Sequence, residues 1–272
     1  MPAEERIAEN LAYINWTVLT GLAVGAFAAV LLGRLRTDAT RGFLAFTALC
    51  AGLFGILAYL SDSALPSAVP GSAIVSDPAF DAPRRAALAI FAVVALAYVV
   101  VIARRGRAPA LGLTGLGAGI AALLAGALGW GGGFPAAVPL FLQLLVLTAA
   151  TGGVFAAMIL GHWYLVTPKL PTAPLRNASL IVVAAVVGQL AVVLVAVLRG
   201  DLSGTTQTGL VVAIGIRIGV GLLMTLAVAL AAWWTARMNT QSSTGLLYVG
   251  LGSALAGEIS ARVLFFLTGA AV

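Results

Sequence analysis

Three ionisable residues, Arg217, Glu258 and Arg262, stand inside long apolar stretches of the chain. Glu258 and Arg262 are four residues apart, which places both on one face of a helix in the acid-then-base order that favours pairing. A carboxylate can relay a proton, and an arginine can hold its charge or donate hydrogen bonds to an acceptor oxygen. The three residues indicate either a polar ligand site or proton path, or a buried Arg–Glu–Arg cluster that locks two helices together.

His162 is the only histidine of the chain and Cys50 the only cysteine. A single histidine cannot ligate a haem iron from both sides, which excludes an intrinsic bis-histidine haem, and a single cysteine excludes a disulfide within the chain. No metal site is predicted. His162 lies in the segment GHWYLVTP together with Tyr164, and aromatic residues there are typical of an interfacial belt. A second polar site containing His162 and Tyr164 is the alternative interpretation.

The composition places these residues in a membrane. Of 272 residues, 61% are hydrophobic and only 9% are charged, whereas soluble domains are about 25% charged. A water-facing surface cannot be built from so few charges. The formal charge of +6 is spread singly or in threes between apolar runs, so no basic face for nucleic acid is expected. We expect a multi-pass integral membrane protein in contact with lipid.

Eight apolar stretches have the length of about 20 residues that a membrane-spanning helix needs. The chain is therefore predicted to be an all-α integral membrane protein, an eight-helix bundle forming a single transmembrane domain over 1–272. An amphipathic amino-terminal segment, 3–13, is predicted to form a short interfacial helix. The predicted spans are 14–33, 42–60, 86–103, 110–130, 137–165, 177–198, 208–236 and 244–270.

The charges of the connections differ between the two sides of the predicted bundle. The loops after spans one, three, five and seven carry a net charge of +8, and the opposite side carries −3. Cytoplasmic loops are enriched in Lys and Arg, so both termini are predicted to lie outside. The loop at 61–85 is the longest on that side, and it is either a docking surface for a partner or a solvated connector.

Helix geometry places the three intramembrane charges near one another. At about 1.5 Å per residue, Glu258 lies about 10 Å below the outer edge of a core about 30 Å thick, and Arg217 lies about 13 Å below it. Because a short loop joins the last two spans, they are expected to be antiparallel neighbours. Arg217 and Glu258 are thus predicted to pair, whereas Arg262 is shallower and can snorkel outward.

The last span resembles the final helix of the polysulfide-reductase (NrfD-like) family, closest to the membrane anchor of dimethyl-sulfoxide-reductase-type molybdoenzymes. The family combines an Ala-Gly-Glu triplet with an arginine and an aromatic residue, and an Arg-Ile pair opens its preceding helix. The matching positions are Ala256, Gly257, Glu258, Arg262, Phe265 or Phe266, Arg217 and Ile218.

The resemblance implies a haem-free anchor subunit in a bacterial or archaeal cell membrane. Such anchors exchange electrons and protons with membrane quinone (menaquinone or ubiquinone) and contact an iron–sulfur subunit and a molybdenum-type catalytic subunit on the outer face. One departure concerns a histidine that the family often has near the outer end of span two. This chain has LAYLSDSALP there, so Asp62 or Glu258 would have to take over its role.

Two other classes of function fit the same spans. One is a small-solute or ion transporter or channel whose Arg217 and Glu258 line an ion path, although no broken-helix repeat of the kind that many transporters have is visible. The other is a purely structural subunit of a membrane complex.

The orientation is testable with single cysteines in a Cys50→Ala background. A cysteine introduced near the carboxyl terminus should react with a membrane-impermeant maleimide added to the outside of intact cells, because the charge asymmetry places that end outside. Thr172→Cys, in a predicted inner loop, is the control and should react only after lysis. The reverse pattern of labelling would invert the topology.

Overall fold

A computed structural model of the chain describes residues 7–8, 10–37, 39–66, 76–106, 108–167, 170–202 and 207–272. Over these residues, eight helices are long and apolar enough to cross a membrane, which confirms the predicted all-α, eight-span fold. The helices are α1 Leu11–Arg36, α2 Arg41–Asp62, α3 Asp81–Arg105, α4 Pro109–Trp130, α5 Val138–Val166, α6 Ala173–Leu198, α7 Thr208–Thr235 and α8 Thr240–Thr268.

The predicted spans agree with the helices to within a few residues, with two exceptions. Helix α1 begins at Leu11, so the last residues of the predicted interfacial helix 3–13 belong to the first span. Residues 3–6 and 9 lie outside the described part of the chain. Helix α3 begins at Asp81, five residues before the predicted start, so Asp81 and Arg84 lie inside its first turns.

The eight helices form two antiparallel groups of four. Helices α1–α4 contact one another in chain order, and α4 also returns to α1. Helices α5–α8 form a closed ring in which α8 packs against both α7 and α5. Helix α1 joins the two groups because it also packs along α5 and touches α8. The interfaces between these helices can therefore bury polar side chains inside the bundle.

The start of the first helix and the end of the last helix lie at the same face of the bundle. Tyr13 at the start of α1 and Phe266 near the end of α8 have ring centroids 5.2 Å apart. On the same face, Asp77 before α3 donates its backbone N–H to the Gly129 carbonyl near the end of α4. We call this side, where α1 begins and α8 ends, the terminal face, and it is the side that the charge pattern predicts to be outside.

Two pairs of glycines let helices cross with their backbones in contact. A Cβ atom on Gly152 of α5 would lie 2.4 Å from the Gly25 Cα atom of α1. A Cβ atom on Gly257 of α8 would lie 2.3 Å from the Gly221 Cα atom of α7. Small residues drive such close crossings in membranes, where no hydrophobic effect favours helix association.

Helix α7 changes its winding at the level of the buried arginine. Thr208–Gly215 is α-helical, Ile216–Met224 is a π-helix, and Thr225–Thr235 is α-helical again. The wider winding leaves α-type hydrogen bonds unmade, and the Thr225 hydroxyl donates instead to the Val220 carbonyl at 3.2 Å. Because π segments are rare and frequently accompany functional sites, the position of Arg217 in this segment marks it as a candidate functional residue.

The α7–α8 crossing provides a test of the fold. Gly257→Ala should lower the free energy of unfolding by about 1–3 kcal/mol, because the new methyl group collides with the α7 backbone. Gly252→Ala, on the same helix, is the control, since a Cβ atom at Gly252 meets no atom within 4 Å. Thermal unfolding of both variants in detergent measures the difference. Equal stability of the two variants would mean that the helices do not touch at Gly257.

Candidate functional site

Glu258 lies where α8, α1 and α5 meet, and it is 1% exposed. Its carboxylate rests against the backbone of α1, because a Cβ atom on Gly21 would lie only 2.8 Å from Oε1. The Thr151 hydroxyl of α5 lies alongside without meeting hydrogen-bond geometry. The Oε2 atom has no hydrogen-bond partner among the described residues. Glycine at position 21 is what makes room for this carboxylate in the interior.

Arg262, one turn further along α8, is fully buried. Its Nε, Nη1 and Nη2 atoms find no hydrogen-bond partner in the part of the chain that the structure describes. The alternative that Arg262 snorkels outward does not hold, because the guanidinium stays between helices. A buried guanidinium normally has partners for its five donors, so these nitrogens are available to an acceptor.

Arg217 projects from the π segment of α7 into the α5–α8 group and is 1% exposed. Its Nη1 donates to Oε1 of Gln189 on α6 at 2.8 Å, and Gln189 in turn donates to the Val146 carbonyl of α5 at 3.4 Å. The Nε and Nη2 atoms of Arg217 have no partner within the described ranges. One side of the guanidinium is thus anchored and the other is free.

The predicted ion pair between Arg217 and Glu258 is not formed. No salt bridge among the described residues joins them, and Gln189 takes the position of direct partner. The Gly221–Gly257 contact explains the offset, since Arg217 is one turn from Gly221 and is therefore level with Ala261, nearer to Arg262 than to Glu258. The three charges still interact electrostatically at longer range. We call Arg217, Glu258 and Arg262 the polar cluster.

The structure does not bring the two residues of the second predicted site together. The Tyr164 hydroxyl turns inward and donates to the Pro171 carbonyl. His162 is exposed on the outside of the bundle, where its Nδ1 atom lies 3.4 Å from the hydroxyl of Tyr248. Residues two apart on a helix point to opposite sides, so His162 and Tyr164 cannot share a site.

A second buried charge cluster was missed by the sequence analysis, which counted Arg84 as a loop residue. Arg84 is 2% exposed and forms salt bridges to Asp62 at 2.7 Å and to Asp81 at 2.8 Å. Its guanidinium lies 5.1 Å from the Trp130 ring centroid and 5.7 Å from that of Trp16. The Asp-Ala-Pro-Arg segment is a helix start, with a first-turn acid and a proline, and this signal could have placed Arg84 inside α3.

Aromatic rings connect this second cluster to α8. Trp130 packs against Tyr13, Trp16 and Phe266, with ring centroids 4.9–5.9 Å apart. Phe266 is one turn beyond Arg262 on α8. A layer of aromatic side chains therefore separates the polar cluster from the charges of Asp62, Arg84 and Asp81 near the terminal face.

Comparisons with known proteins do not assign a family. No protein-family model matches the chain, and no curated protein matches it. In the described part of the chain, no group of three or more His, Cys, Asp or Glu side chains is placed to hold a metal ion. Any functional assignment therefore depends on the geometry of the polar cluster.

The Arg217–Gln189 hydrogen bond provides a test of the site. A double-mutant cycle with Arg217→Leu and Gln189→Leu should give a coupling energy of about 1.5–3 kcal/mol in the free energy of unfolding, as for hydrogen bonds to charged groups. The control cycle pairs Arg217→Leu with Gln143→Leu, because the Gln143 amide donates to the Val272 carbonyl instead. Similar coupling in both cycles would show that Gln189 is not the partner.

Proposed function

We propose that this chain is a haem-free membrane subunit of a respiratory oxidoreductase complex that exchanges electrons and protons with membrane quinone. One observation carries the proposal: the buried guanidinium of Arg262, whose nitrogens have no partner among the described residues, stands one turn from the free Oε2 atom of Glu258. An intramembrane ionisable group in a bundle interior indicates a functional site by default.

The donor and acceptor atoms of the cluster fit a quinone head group. Arg262 offers hydrogen-bond donors to a carbonyl oxygen, and the Glu258 carboxylate can accept a proton from a hydroxyl or return it. A bound quinone supplies the two-electron, two-proton chemistry, and the protein supplies binding, orientation and the proton-transfer group. The absence of a side chain at Gly21 leaves room for the Glu258 carboxylate beside α1.

The charge balance of the cluster favours an electron-rich oxygen as its ligand. Two buried arginines face a single carboxylate, which leaves an excess of positive charge when all three groups are ionised. In a medium of low dielectric constant, an acceptor atom placed near Arg262 is attracted more strongly than in water. A purely structural role is less well supported. If the cluster only locked helices together, fewer hydrogen-bond donors of Arg217 and Arg262 would lack partners.

The ion pair of Asp62 helps to choose between the two candidates for the proton-transfer role. Arg84 holds the Asp62 carboxylate at 2.7 Å, so this carboxylate already has a direct partner. The Glu258 carboxylate has no such contact within the described residues. Glu258 is therefore the better candidate for the role that a histidine near span two has in the NrfD-like anchors.

The proposed partners are an iron–sulfur subunit and a molybdenum-type catalytic subunit at the terminal face, in a bacterial or archaeal cell membrane. The proposed docking surface is the part of the predicted loop 61–85 that connects α2 to α3, of which residues 67–75 lie outside the described part of the chain. The transporter alternative has less support, because α7 continues through its π segment instead of breaking at the buried charge.

Glu258→Gln tests the proposal in the intact complex. The variant should assemble normally but lose about a hundredfold of quinol-linked turnover, because the amide cannot accept the proton. Purification in mild detergent should also recover iron–sulfur and molybdenum subunits with the chain. Full turnover at normal yield would leave Glu258 without a chemical role, and a lone oligomer on purification would support the transporter alternative.

Gly21→Ala is a companion variant that leaves every charge in place. The added methyl group must displace the Glu258 carboxylate, so turnover should fall while the chain still assembles. Gly117→Ala on α4 is the control, since a Cβ atom there meets nothing within 4 Å.

A further inference from the structure

A cavity at the terminal face reaches Phe265, which is one helical turn from Arg262 of the polar cluster. It has a volume of about 430 Å³ and lies between the α4–α5 turn, the α6–α7 connection and the end of α8. Its walls include Trp130, Leu140, Arg199, Asp201, Phe265 and Gly269. We call it the terminal pocket, and its volume is within the usual range for small-molecule sites.

The walls of the terminal pocket combine charged and apolar groups. Arg199 and Asp201 form a partly exposed ion pair at 3.6 Å on one side, and the indole of Trp130 and the side chain of Leu140 are buried on another. Gly269 ends α8 with a positive φ of 76°, and a Cβ atom there would meet nothing within 4 Å. Such a surface can accept a flat, amphipathic ring.

Phe265 separates the terminal pocket from Arg262. It lines the pocket, and it is one helical turn beyond Arg262 on α8. Helical side chains lean toward the helix amino terminus, so Phe265 and Phe266 lean over the arginine. The two rings are in contact, with centroids 5.3 Å apart, and they form a thin barrier one residue layer deep.

The large apolar groove between α1, α5 and α6 does not provide the same access. It has a volume of about 380 Å³ and is lined on α5 by Ala149 and Gly153. Thr151, which lies beside Glu258, is two residues from each of these and so points to the opposite side of α5. The backbone contact between Gly25 and Gly152 lies between the groove and the carboxylate.

We infer that the ligand of the polar cluster enters from the terminal face through the terminal pocket, with Phe265 as the barrier that it must displace. The identity of the ligand as a quinone head group rests on the proposed function. The route itself follows from the position of the cavity, the burial of Arg262 and the single aromatic layer between them. The Gly25–Gly152 contact separates the groove on the α1–α5–α6 side from Glu258, which favours the terminal pocket as the route.

Blocking the terminal pocket tests the route. Ala136 lines the pocket and is exposed, so Ala136→Cys in a Cys50→Ala background can be labelled with a bulky maleimide in lipid nanodiscs. Ubiquinone-1 is then mixed in by stopped flow, and the quenching of tryptophan fluorescence is followed. Labelling should slow association by about tenfold or more, because the probe occupies the pocket. Labelled Leu11→Cys, 59% exposed at the start of α1 on the same face and outside the pocket lining, should leave the rate unchanged.

Opening the barrier provides a second test that needs no label. Phe265→Ala should speed the association of ubiquinone-1 by several-fold, because the aromatic layer over Arg262 is thinned. Phe134→Ala is the matched control, since Phe134 is 82% exposed on the same face and does not line the pocket. Unchanged rates in Phe265→Ala would argue against a barrier at that position.

The outcomes separate the route from the proposed function. If ubiquinone-1 does not quench the fluorescence of the unlabelled protein, the quinone assignment and the route fail together. If the unlabelled protein binds and labelled Ala136→Cys binds at the same rate, the route is wrong while the proposed function stands. Equal slowing by labels at positions 136 and 11 would also contradict the route.

Discussion

Two glycine pairs, each in backbone-to-backbone contact, fix how the helices of this bundle pack. Gly25 and Gly152 bring α1 onto α5, and Gly221 and Gly257 bring α7 onto α8. In a bilayer, helices gain little from apolar association, and close packing of small residues supplies much of the driving force. These contacts set the relative heights of the helices, and hence which polar side chains meet.

The helix register set by those contacts gives the buried charged side chains different numbers of hydrogen-bond partners. Arg217 reaches a side-chain amide on α6, whereas Arg262 and one oxygen of Glu258 reach no partner in the described residues. Unsatisfied groups of this kind cost free energy in a protein interior. A site that keeps such groups is better explained by ligand binding or proton transfer than by a stabilising role. The π-helical winding of α7 at Arg217 agrees with that interpretation.

The terminal face is built differently from the middle of the bundle. Arg84 is satisfied by two carboxylates and two indole rings, so this cluster stabilises the junction between α2, α3 and α4. Through Trp130 and Phe266, the same aromatic layer reaches α8. The Arg84 ion-pair cluster and the polar cluster thus lie at neighbouring depths. Of the two, the polar cluster has donor and acceptor atoms without partners among the described residues.

The eight spans and the membrane class could be predicted from the residues alone, because burial in lipid requires about 20 consecutive apolar residues and this is a local property of the chain. The spacing of Glu258 and Arg262 on one face was equally local. The hydrogen-bond partner of Arg217 is not a local property of the sequence. The choice between Glu258 and Gln189 depends on the position and rotation of α7 relative to α8. The inward turn of Tyr164, the burial of Arg84 and the terminal pocket likewise depend on helices distant in sequence. Only the tertiary structure decides such contacts, because composition and periodicity specify which face of a helix is apolar but not which neighbour that face meets.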